Sequence, residues 1–513
     1  MRDDFSGKRV VVMGLGLFGG GEGAVRFFSE RGASVLVTDL RKREELNETL
    51  SKISDLKNVE FRLGRHEIQD FKTADIVVVN PAVTDESPML NIASESGAFL
   101  TTEINLFFER CRGTIVGITG SNGKSTTTAL CYHILQGFQV PTYLGGNIGS
   151  SLLPDVDKFK PDEVVVLELS SFQLERMRWI RKSPQISAIL NLTQNHLDRH
   201  KTMESYGDAK AAILDYQNPD DFAVLNPADE YFKFFVKRVK GNLVVFKKRT
   251  GRTKTDSKII VGFLNKKIVV EIHQEKKNKK RFFIALDSLP LDEWGRSWQV
   301  TEEFVGHNAM NLAAALACAV SFLLKREIEI NEQMLRESLH KAMSEFRPLE
   351  HRLEKVAVVR GVEFVNDSIA TNPESVIAAL NCYPARRTIL IAGGYDKGLN
   401  YDEMVKKILT NVKALILLKT DGGDKIAEAV LKAKKEVSKE DEIKKSENRD
   451  FPSLHYAYGL EEAVLKAMAL SESGDTVLLS PACASYGMFS NFEERGRAFK
   501  DVVKKLVLQD KTG

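Results

Sequence analysis

Apolar residues in the first hundred positions come in short unbroken runs that alternate with stretches of helical spacing. KRVVVMG runs apolar into a glycine, EGAVRFFSERG has helical periodicity and stops at Gly32, SVLVTD is a second run, and ADIVVVNP is a later one closed by Pro81. Runs with so few polar breaks predict strands buried on both faces of a parallel sheet, with helices as crossovers. A second unit opens with GTIVGITGSNGKSTTTALCYHIL, read as strand, glycine loop and long helix, and continues through the strands EVVVLEL and QISAILNL. From about Phe222 the texture changes. AVLNP, LVVFKKR, KIIVGFLNKKIVVEI and RFFIAL are short runs separated by lysine-rich turns, which predicts a meander or an insertion beside the parallel sheet. A helix is expected over about 305–324, and a third alternating segment begins near Pro348 with strands AVVRGVEFVND, RTILIAGG, ALILLK and TVLLSP. KAKKEVSKEDEIKKSENRD is charged without apolar periodicity and reads as a solvated helix end or loop. No tandem repeat is present.

Length then sets the domain count: 513 residues at ~150 per domain predict about three domains. A hydrophobic fraction of 43% and a charged fraction of 28% exclude a disordered or collagen-like chain. Lys+Arg 73 against Asp+Glu 70, a net charge of +3, argues against a dedicated nucleic-acid binder. The basic stretches KKRTGRTK (247–254) and KKNKKR (276–281) lack interleaved aromatics and read as solvated turns. Cys111, Cys131, Cys318, Cys382 and Cys483 are scattered and form no C-x-x-C pair, which excludes a disulfide scaffold and favours a reducing compartment. The N-terminal MRDDFSGK is acidic, unlike a secretory leader, and the longest apolar stretch, Leu312 to Leu324, is shorter than the ~20 residues that span a bilayer. A cytoplasmic multidomain α/β protein without a membrane span is expected.

Two glycine loops carry the candidate chemistry. Gly14-x-Gly16-x-x-Gly19 lies between strand and helix, with Asp39 ending the next strand, as in dinucleotide-binding loops. NAD, another nucleotide or phosphate, and a purely structural turn all fit this loop. The second loop, Thr119-Gly120-Ser121-Asn122-Gly123-Lys124-Ser125-Thr126, resembles a P-loop in which Ile118 replaces the first glycine. Its amides and helix N-terminus suit an anion, Lys124 suits β- and γ-phosphates, and Ser125 suits Mg²⁺, so ATP is the expected ligand. Glu168 is the one charge in the run VVVLEL and is costly to bury without a cation. His196, Asp198 and His200 follow the next strand and suggest metal or phosphate contact, with His200 alone reading as a surface residue. Lys210 alone reads as an ordinary snorkelling lysine.

The blocks GITGSNGKSTTT, GGNIG (145–149), ELSSFQLE (168–175), NHLDRH, GHNAMN (306–311), HRLE (351–354), NDSIATN (366–372), AGGYDKG (392–398) and SPACASYGMFSNFEERG (480–496) together resemble the Mur ligases of peptidoglycan synthesis, specifically their glutamate-adding branch. The resemblance covers nearly the whole chain. It implies a Rossmann-like UDP-substrate domain (1–102), a central P-loop ATPase-like domain on a parallel sheet (103–347) and a Rossmann-like C-terminal domain that takes the amino acid (348–513). It also implies ATP-dependent ligation of glutamate to UDP-N-acetylmuramoyl-L-alanine through an acyl phosphate, by a monomer acting on small molecules. Gly16, Leu17, Asp39, Arg41, Asn147, Ser170, Ser171, Gln173 and His196 match positions that hold the UDP-sugar, the first loop becoming a diphosphate cradle. Gly120 to Thr126, Asn308, Asn311, Arg352 and Asp367 match nucleotide contacts. Glu168 matches the ligand of a Mg²⁺ bridging ATP and substrate. Lys210 matches a lysine carbamylated by CO₂, which with His196 holds a second Mg²⁺; Ser125 completes the metal set. Thr371, Lys397, Ser485 and Phe492 match the amino-acid pocket. Two positions depart from the pattern: Phe18 replaces a small polar residue, and Ile369 replaces the lysine of N-D-S-K-A-T-N. The second departure leaves D-glutamate or L-glutamate as the substrate. A more remote reading, from the first loop alone, is an NAD-dependent dehydrogenase. A nucleotide-gated switch or nucleic-acid module is the non-enzyme rival.

Overall fold

The computed structural model describes residues 4–16, 19–250, 257–274, 278–287, 289, 298–301, 304–347, 350–444 and 451–512. Its strands form three sheets, one for each of three α/β domains. By compactness the chain divides into two units, residues 1–289 with 310–346, and residues 290–309 with 347–513. The first two sheets belong to the former and the third to the latter.

The first sheet contains β1 (Arg9–Met13), β2 (Ser34–Asp39), β3 (Val59–Leu63), β4 (Ile76–Val79) and β5 (Phe99–Thr101), all parallel, in the order β3-β2-β1-β4-β5. Val10, Val11 and Val12 are buried, as expected of a strand covered on both faces. The chain leaves β1 to one side and returns at β4 on the other. The glycine loop after β1 and the loop after β4 therefore flank the switch point, where open parallel sheets bind ligands.

The second sheet holds β6 (Thr114–Thr119), β7 (Thr142–Gly146), β8 (Val164–Glu168), β9 (Ile186–Ile189), β10 (Phe222–Leu225), β11 (Asn242–Lys247), β12 (Ile259–Leu264), β13 (Lys267–Gln274) and β14 (Asn278–Ala285). Their order is β14-β13-β12-β11-β10-β9-β6-β8-β7. The expectation of a meander beside the sheet is corrected here. β10, β11 and β12 continue the parallel sheet, and only β13 and β14 turn antiparallel. The second basic stretch is corrected in part too. Residues 278–281 are strand, and Lys279 and Arg281 both pair with Glu271 on the buried side of β13, at 2.5 Å each. Residues 251–254 and 276–277 of the basic stretches lie outside the described residues.

The long helix His307–Lys325 is apolar and long enough to cross a membrane by composition, but 83% of its most apolar window is buried inside the protein. It is a core helix. In the second unit the sheet order is β15-β16-β20-β17-β18-β19. AVVRGVEFVND is a hairpin rather than the single strand expected: β15 (Glu354–Val359) turns at Arg360 and Gly361 into antiparallel β16 (Val362–Asn366). Arg360 and Gly361 both have positive φ, 50° and 77°, the signature of a tight two-residue turn. β17 (Thr388–Ala392), β18 (Val412–Leu418), β19 (Ser453–Ala457) and β20 (Thr476–Leu479) are parallel. The charged stretch after Lys432 continues a helix, Asp421–Lys444, and residues 445–450 lie outside the described residues.

Candidate active site

The C-terminal ends of β6, β8 and β9 lie side by side, with Ile118 paired to Glu168 and Thr119 to Ile189. The loop after β6 runs into the helix Lys124–Gly137, whose first turn offers N–H groups that no preceding carbonyl can take. Gly123 caps that helix at φ 83°, and a Cβ there would come within 2.5 Å of the Asn311 amide oxygen, so glycine is required and Asn311 lies against the loop. Asn191, at the end of β9, holds the loop from below. Its side chain accepts from Asn122 N (2.9 Å) and donates to Asn122 O (3.1 Å), while its carbonyl accepts from Ser121 N (3.0 Å). The Ser121 and Asn122 amides are thus occupied in shaping the loop, and Asn191 is a residue that motif reading missed.

Two lysines converge on one carbonyl. Lys124 Nζ donates to Gly120 O at 3.0 Å and to Ser121 O at 3.1 Å, and Lys210 Nζ donates to Gly120 O at 2.9 Å and to Thr119 Oγ1 at 3.4 Å. Lys210 is only 1% exposed, which corrects the snorkelling expectation. Burial, and next the Lys124 charge, hold its amine well below the ordinary lysine range, with Glu168 opposing. Lys124 and the Lys210 amine thus converge on one carbonyl of the loop that an anion would enter.

Glu168 is 2% exposed. Its Oε1 accepts from Asn147 Nδ2 at 3.2 Å, and its Oε2 has no hydrogen-bond partner. A buried carboxylate oxygen without a donor is costly unless a cation completes it, so the residues present fit a divalent ion. Among the described residues no three His, Cys, Asp or Glu side chains gather into a metal cluster. Mg²⁺ does not need one, because it takes one or two carboxylates and completes its shell with phosphate oxygens and water.

A cavity of about 370 Å³ extends from this centre to the first glycine loop. Lys124, Asn147, Ser170, Ser171, Gln173, His196, Tyr206 and Lys210 line one end, and Gly16, Arg41, Asn80 and Pro81 the other. Leu17 and Phe18 lie outside the described residues. Asp39 is buried with its oxygens engaged by backbone amides: Oδ2 accepts from Leu15 N (2.9 Å) and Gly16 N (3.3 Å), and Oδ1 from Arg41 N (2.9 Å). It shapes the loop, and Arg41 is the one of the pair that lines the cavity. Ser170 and Gln173 cap the helix Ser171–Met177 reciprocally. His196 begins the short helix Leu197–His200 at φ 54°, a left-handed conformation, with its ring 5.1 Å from that of Phe172. His200 is corrected from surface to interior. It is 3% exposed, with Nε2 2.9 Å from Ser171 Oγ and Nδ1 3.1 Å from Glu175. The Asp198 side chain lies outside the described part of the structure.

In the second unit, Asp367 Oδ1 accepts from Leu353 N (3.2 Å) and Oδ2 from Ser480 Oγ (2.7 Å), which brings Arg352 and Asp367 together. Burial raises the Asp367 carboxyl to about 7 against the Ser480 and Arg352 contributions. His307, one residue before Asn308, is pushed down to about 4, first by burial and then by the Arg352 charge. The amino-acid candidates share neighbouring loops. Tyr395 and Ala484 exchange backbone hydrogen bonds (2.8 and 3.2 Å), which sets the Lys397 loop beside that of Ser485. Arg495, unnoticed in the sequence, is 1% exposed and donates to Ser368 Oγ, Ser368 O and Cys483 O at 3.0, 2.8 and 3.1 Å. Ser368 Oγ in turn donates to Phe492 O at 2.8 Å. Ile369 and Thr371 follow directly, with Ile369 N bonded to His351 O.

A P-loop on a parallel sheet, joined by one cavity to a second nucleotide-type loop, defines a nucleotide-dependent α/β enzyme. Comparison with known proteins makes the class specific. The MurD-like N-terminal domain of Mur ligases matches residues 8–101, the Mur ligase middle domain residues 118–319, and the Mur ligase glutamate ligase domain residues 351–483. The UDP-N-acetylmuramoylalanine–D-glutamate ligase of Clostridioides difficile is 36% identical over 506 residues, covering 98% of this chain and 100% of that protein. The enzyme of the same name from Pelotomaculum thermopropionicum is 36% identical over 509 residues, covering 99% of each. In fold, a pseudomurein peptide ligase type C from Methanothermus fervidus superposes with a TM-score of 0.55 at 19% identity, over 97% of this chain and 100% of that one. The chain belongs to the Mur ligase family. The dehydrogenase and nucleic-acid readings have no observation of their own beside this.

Proposed function

We propose that the protein joins D-glutamate to UDP-N-acetylmuramoyl-L-alanine at the expense of ATP, in the cytoplasm, as a monomer with domain divisions at 102/103 and 347/348. The observation that carries this reading is the pair of lysines on Gly120 O beside the unsatisfied oxygen of Glu168. It is a site built for transferring phosphoryl charge. The alanine carboxylate attacks the γ-phosphorus of ATP, ADP leaves, and an acyl phosphate remains; the glutamate amine then attacks the acyl carbon and phosphate departs. A carboxylate is a weak nucleophile, so positioning and charge neutralisation supply most of the rate. Lys124 holds the β- and γ-phosphates, the helix N-terminus holds the phosphate oxygens, and Asn147, Ser171, Gln173 and Arg41 hold the UDP-sugar. Mg²⁺, when bound, adds positive charge against the phosphoryl oxygens, with Ser125, Glu168 and His196 as its protein ligands. A carbamate formed by CO₂ on the Lys210 amine would supply a second anionic ligand for Mg²⁺ beside His196. Asn308, Asn311, Arg352 and Asp367 hold the nucleotide, and Thr371, Lys397, Ser485 and Phe492 hold the amino acid.

The test is phosphate release from ATP in the presence of each substrate alone and of both together. Release that requires both supports the reading, and release indifferent to either one overturns it. Glu168→Gln is expected to lower turnover about 10- to 100-fold and raise the Mg²⁺ demand, while Tm holds or rises because a buried unpaired charge is gone. Turnover against Mg²⁺ and a melting curve check this, and unchanged Mg²⁺ dependence sinks the ligand role.

Ile369 bears on the amino acid. It cannot donate to a carboxylate, and a charged hydrogen bond of that kind is worth ~1.5–3 kcal/mol. Lys397 can pair one carboxylate of the amino acid, and D-glutamate remains the substrate. Kinetics with the two enantiomers are expected to favour D-glutamate, with Ile369→Lys lowering its KM. A preference for L-glutamate reverses the assignment.

A further inference from the structure

The loop after β4 starts at Asn80 and is gripped by two arginines that do not line the cavity. Arg176, in the helix Ser171–Met177, is 1% exposed. It donates from Nη1 to Asn80 O (2.9 Å) and from Nη2 to Val83 O (2.5 Å) and Asp85 Oδ1 (3.0 Å). Arg199, in the helix Leu197–His200, adds Nη1 to Ala82 O and Nη2 to Val83 O, both at 3.2 Å. Asp85 is 66% exposed, so its ion pair contributes little. The carbonyls are the point of the contact, since a planar guanidinium presents its donors to them in a rigid fork, where an ammonium is a rotatable point charge.

The opposite face of the same loop is a wall of the cavity. The Asn80 side chain crosses the glycine loop: Nδ2 donates to Gly14 O at 3.1 Å, and a Cβ on Gly14 or Gly16 would come within 2.8 or 2.9 Å of it. Asn80, Pro81 and Ala82 all face the cavity. Arg199 is itself placed by the site. Its guanidinium lies 5.1 Å from the ring centre of Phe172, which lines the cavity, and 3.5 Å from Glu175. Burying a guanidinium is expensive, and an apolar side chain would stabilise a mere scaffold at lower cost. The carbonyls of Asn80, Ala82 and Val83, held by two arginines, instead fix the register of the loop.

We propose that Arg176 and Arg199 are positioning residues of the UDP-sugar site, holding the loop of residues 80–83 as a preformed wall over the glycine loop. The inference rests on the proposed ligase reading, in which this cavity takes the UDP-sugar. Preformation removes an ordering cost at binding, so its loss falls on the affinity for that one substrate.

The experiment compares Arg176→Lys, Arg199→Lys and the double variant with the wild-type enzyme, varying each substrate separately. Arg176→Lys is expected to raise KM for UDP-N-acetylmuramoyl-L-alanine and its calorimetric Kd ~10-fold, and Arg199→Lys less. KM for ATP and glutamate and kcat at saturation should stay within about two-fold. Hydrogen exchange should quicken over residues 80–86 and nowhere else. A folded Arg176→Lys with unchanged KM and Kd overturns the proposal, as does an equal loss on all three substrates with falling kcat, which marks a general structural role. Wild-type protein that binds no UDP-N-acetylmuramoyl-L-alanine refutes the functional reading. Exchange then decides the positioning role alone, and unchanged exchange over 80–86 overturns it.

Discussion

Lys124→Ala is expected to lower ATP-dependent ligation by roughly 10²-fold or more, because it removes a point charge aimed at oxygens that gain negative charge as the phosphoryl group transfers. The lysine is in place before ATP arrives. Its ammonium lies against Gly120 O and Ser121 O, within the loop that the anion must enter, so it has no large rearrangement to make. The loss should fall on kcat at least as heavily as on KM for ATP, since the charge matters most where the transition state develops it. Removing two hydrogen bonds to loop carbonyls also loosens the loop. Lys124→Met keeps the stem and drops the ammonium with its two hydrogen bonds, so comparison with Lys124→Ala separates the loss of the charged group from the loss of side-chain packing. Both variants should melt close to the wild type, because Asn191 holds the loop independently of the lysine. ADP formation at near wild-type rate by a folded Lys124→Met protein would remove the P-loop assignment.

The elements legible in the sequence were those whose signal is local. Val10 to Val12 and Val164 to Val166 are unbroken apolar runs, which is what a strand covered by helices on both faces requires, and the glycine loops punctuate their ends. The failures have local causes as well. The Arg360–Gly361 turn hides inside an apolar run because both of its residues adopt positive φ, and only the glycine signals it. The start of β14, residues 278–281, looked like a basic turn because Lys279 and Arg281 are strand residues whose charges meet Glu271 across the sheet, a pairing that periodicity cannot reveal. His200 looked exposed because its partners, Ser171 and Glu175, lie a strand and a helix away.

The candidate site divides along the same line. Motif reading reached Gly120 to Thr126, Glu168 and His196, because phosphate and metal chemistry favours those residue types where adjacent strands end, whereas Asn147 and Lys210, the latter inside the helix Met203–Ala211, came only from the family resemblance. It missed the residues that act through other residues. Asn191 shapes the phosphate loop, Arg495 stitches Ser368 to Cys483, and Arg176 reaches a loop almost a hundred positions away. Most of these contacts are with backbone atoms distant in sequence, which carry no side-chain signature.

Lys210 has the largest stake, because its environment is hostile to the form in which lysine normally exists. The amine is buried, faces the Lys124 charge, and is held well below its ordinary value of 10.5. Between that depressed value and 10.5 the unfolded chain binds a proton that the folded chain does not, so unmodified Lys210 costs stability, and the cost grows as pH falls through this window. Lys210→Met is therefore expected to raise the Tm of the nucleotide-free protein at neutral pH, a gain that shrinks toward zero above the unfolded value. The same substitution should lower turnover ~10²-fold or more, since it removes the group proposed to become an anionic metal ligand. A depressed amine is also the reactive one, as only the neutral form adds CO₂. Wild-type turnover should accordingly depend on bicarbonate and rise with pH as the free amine population grows. Lys210→Ala leaves space where the carbamate would stand, and a small carboxylic acid should restore part of its activity. The carbamate role is refuted by full activity of Lys210→Ala without additive. It is refuted equally by wild-type turnover that is indifferent to bicarbonate removal, or by a native mass lacking the added CO₂ in the Mg²⁺–ATP complex.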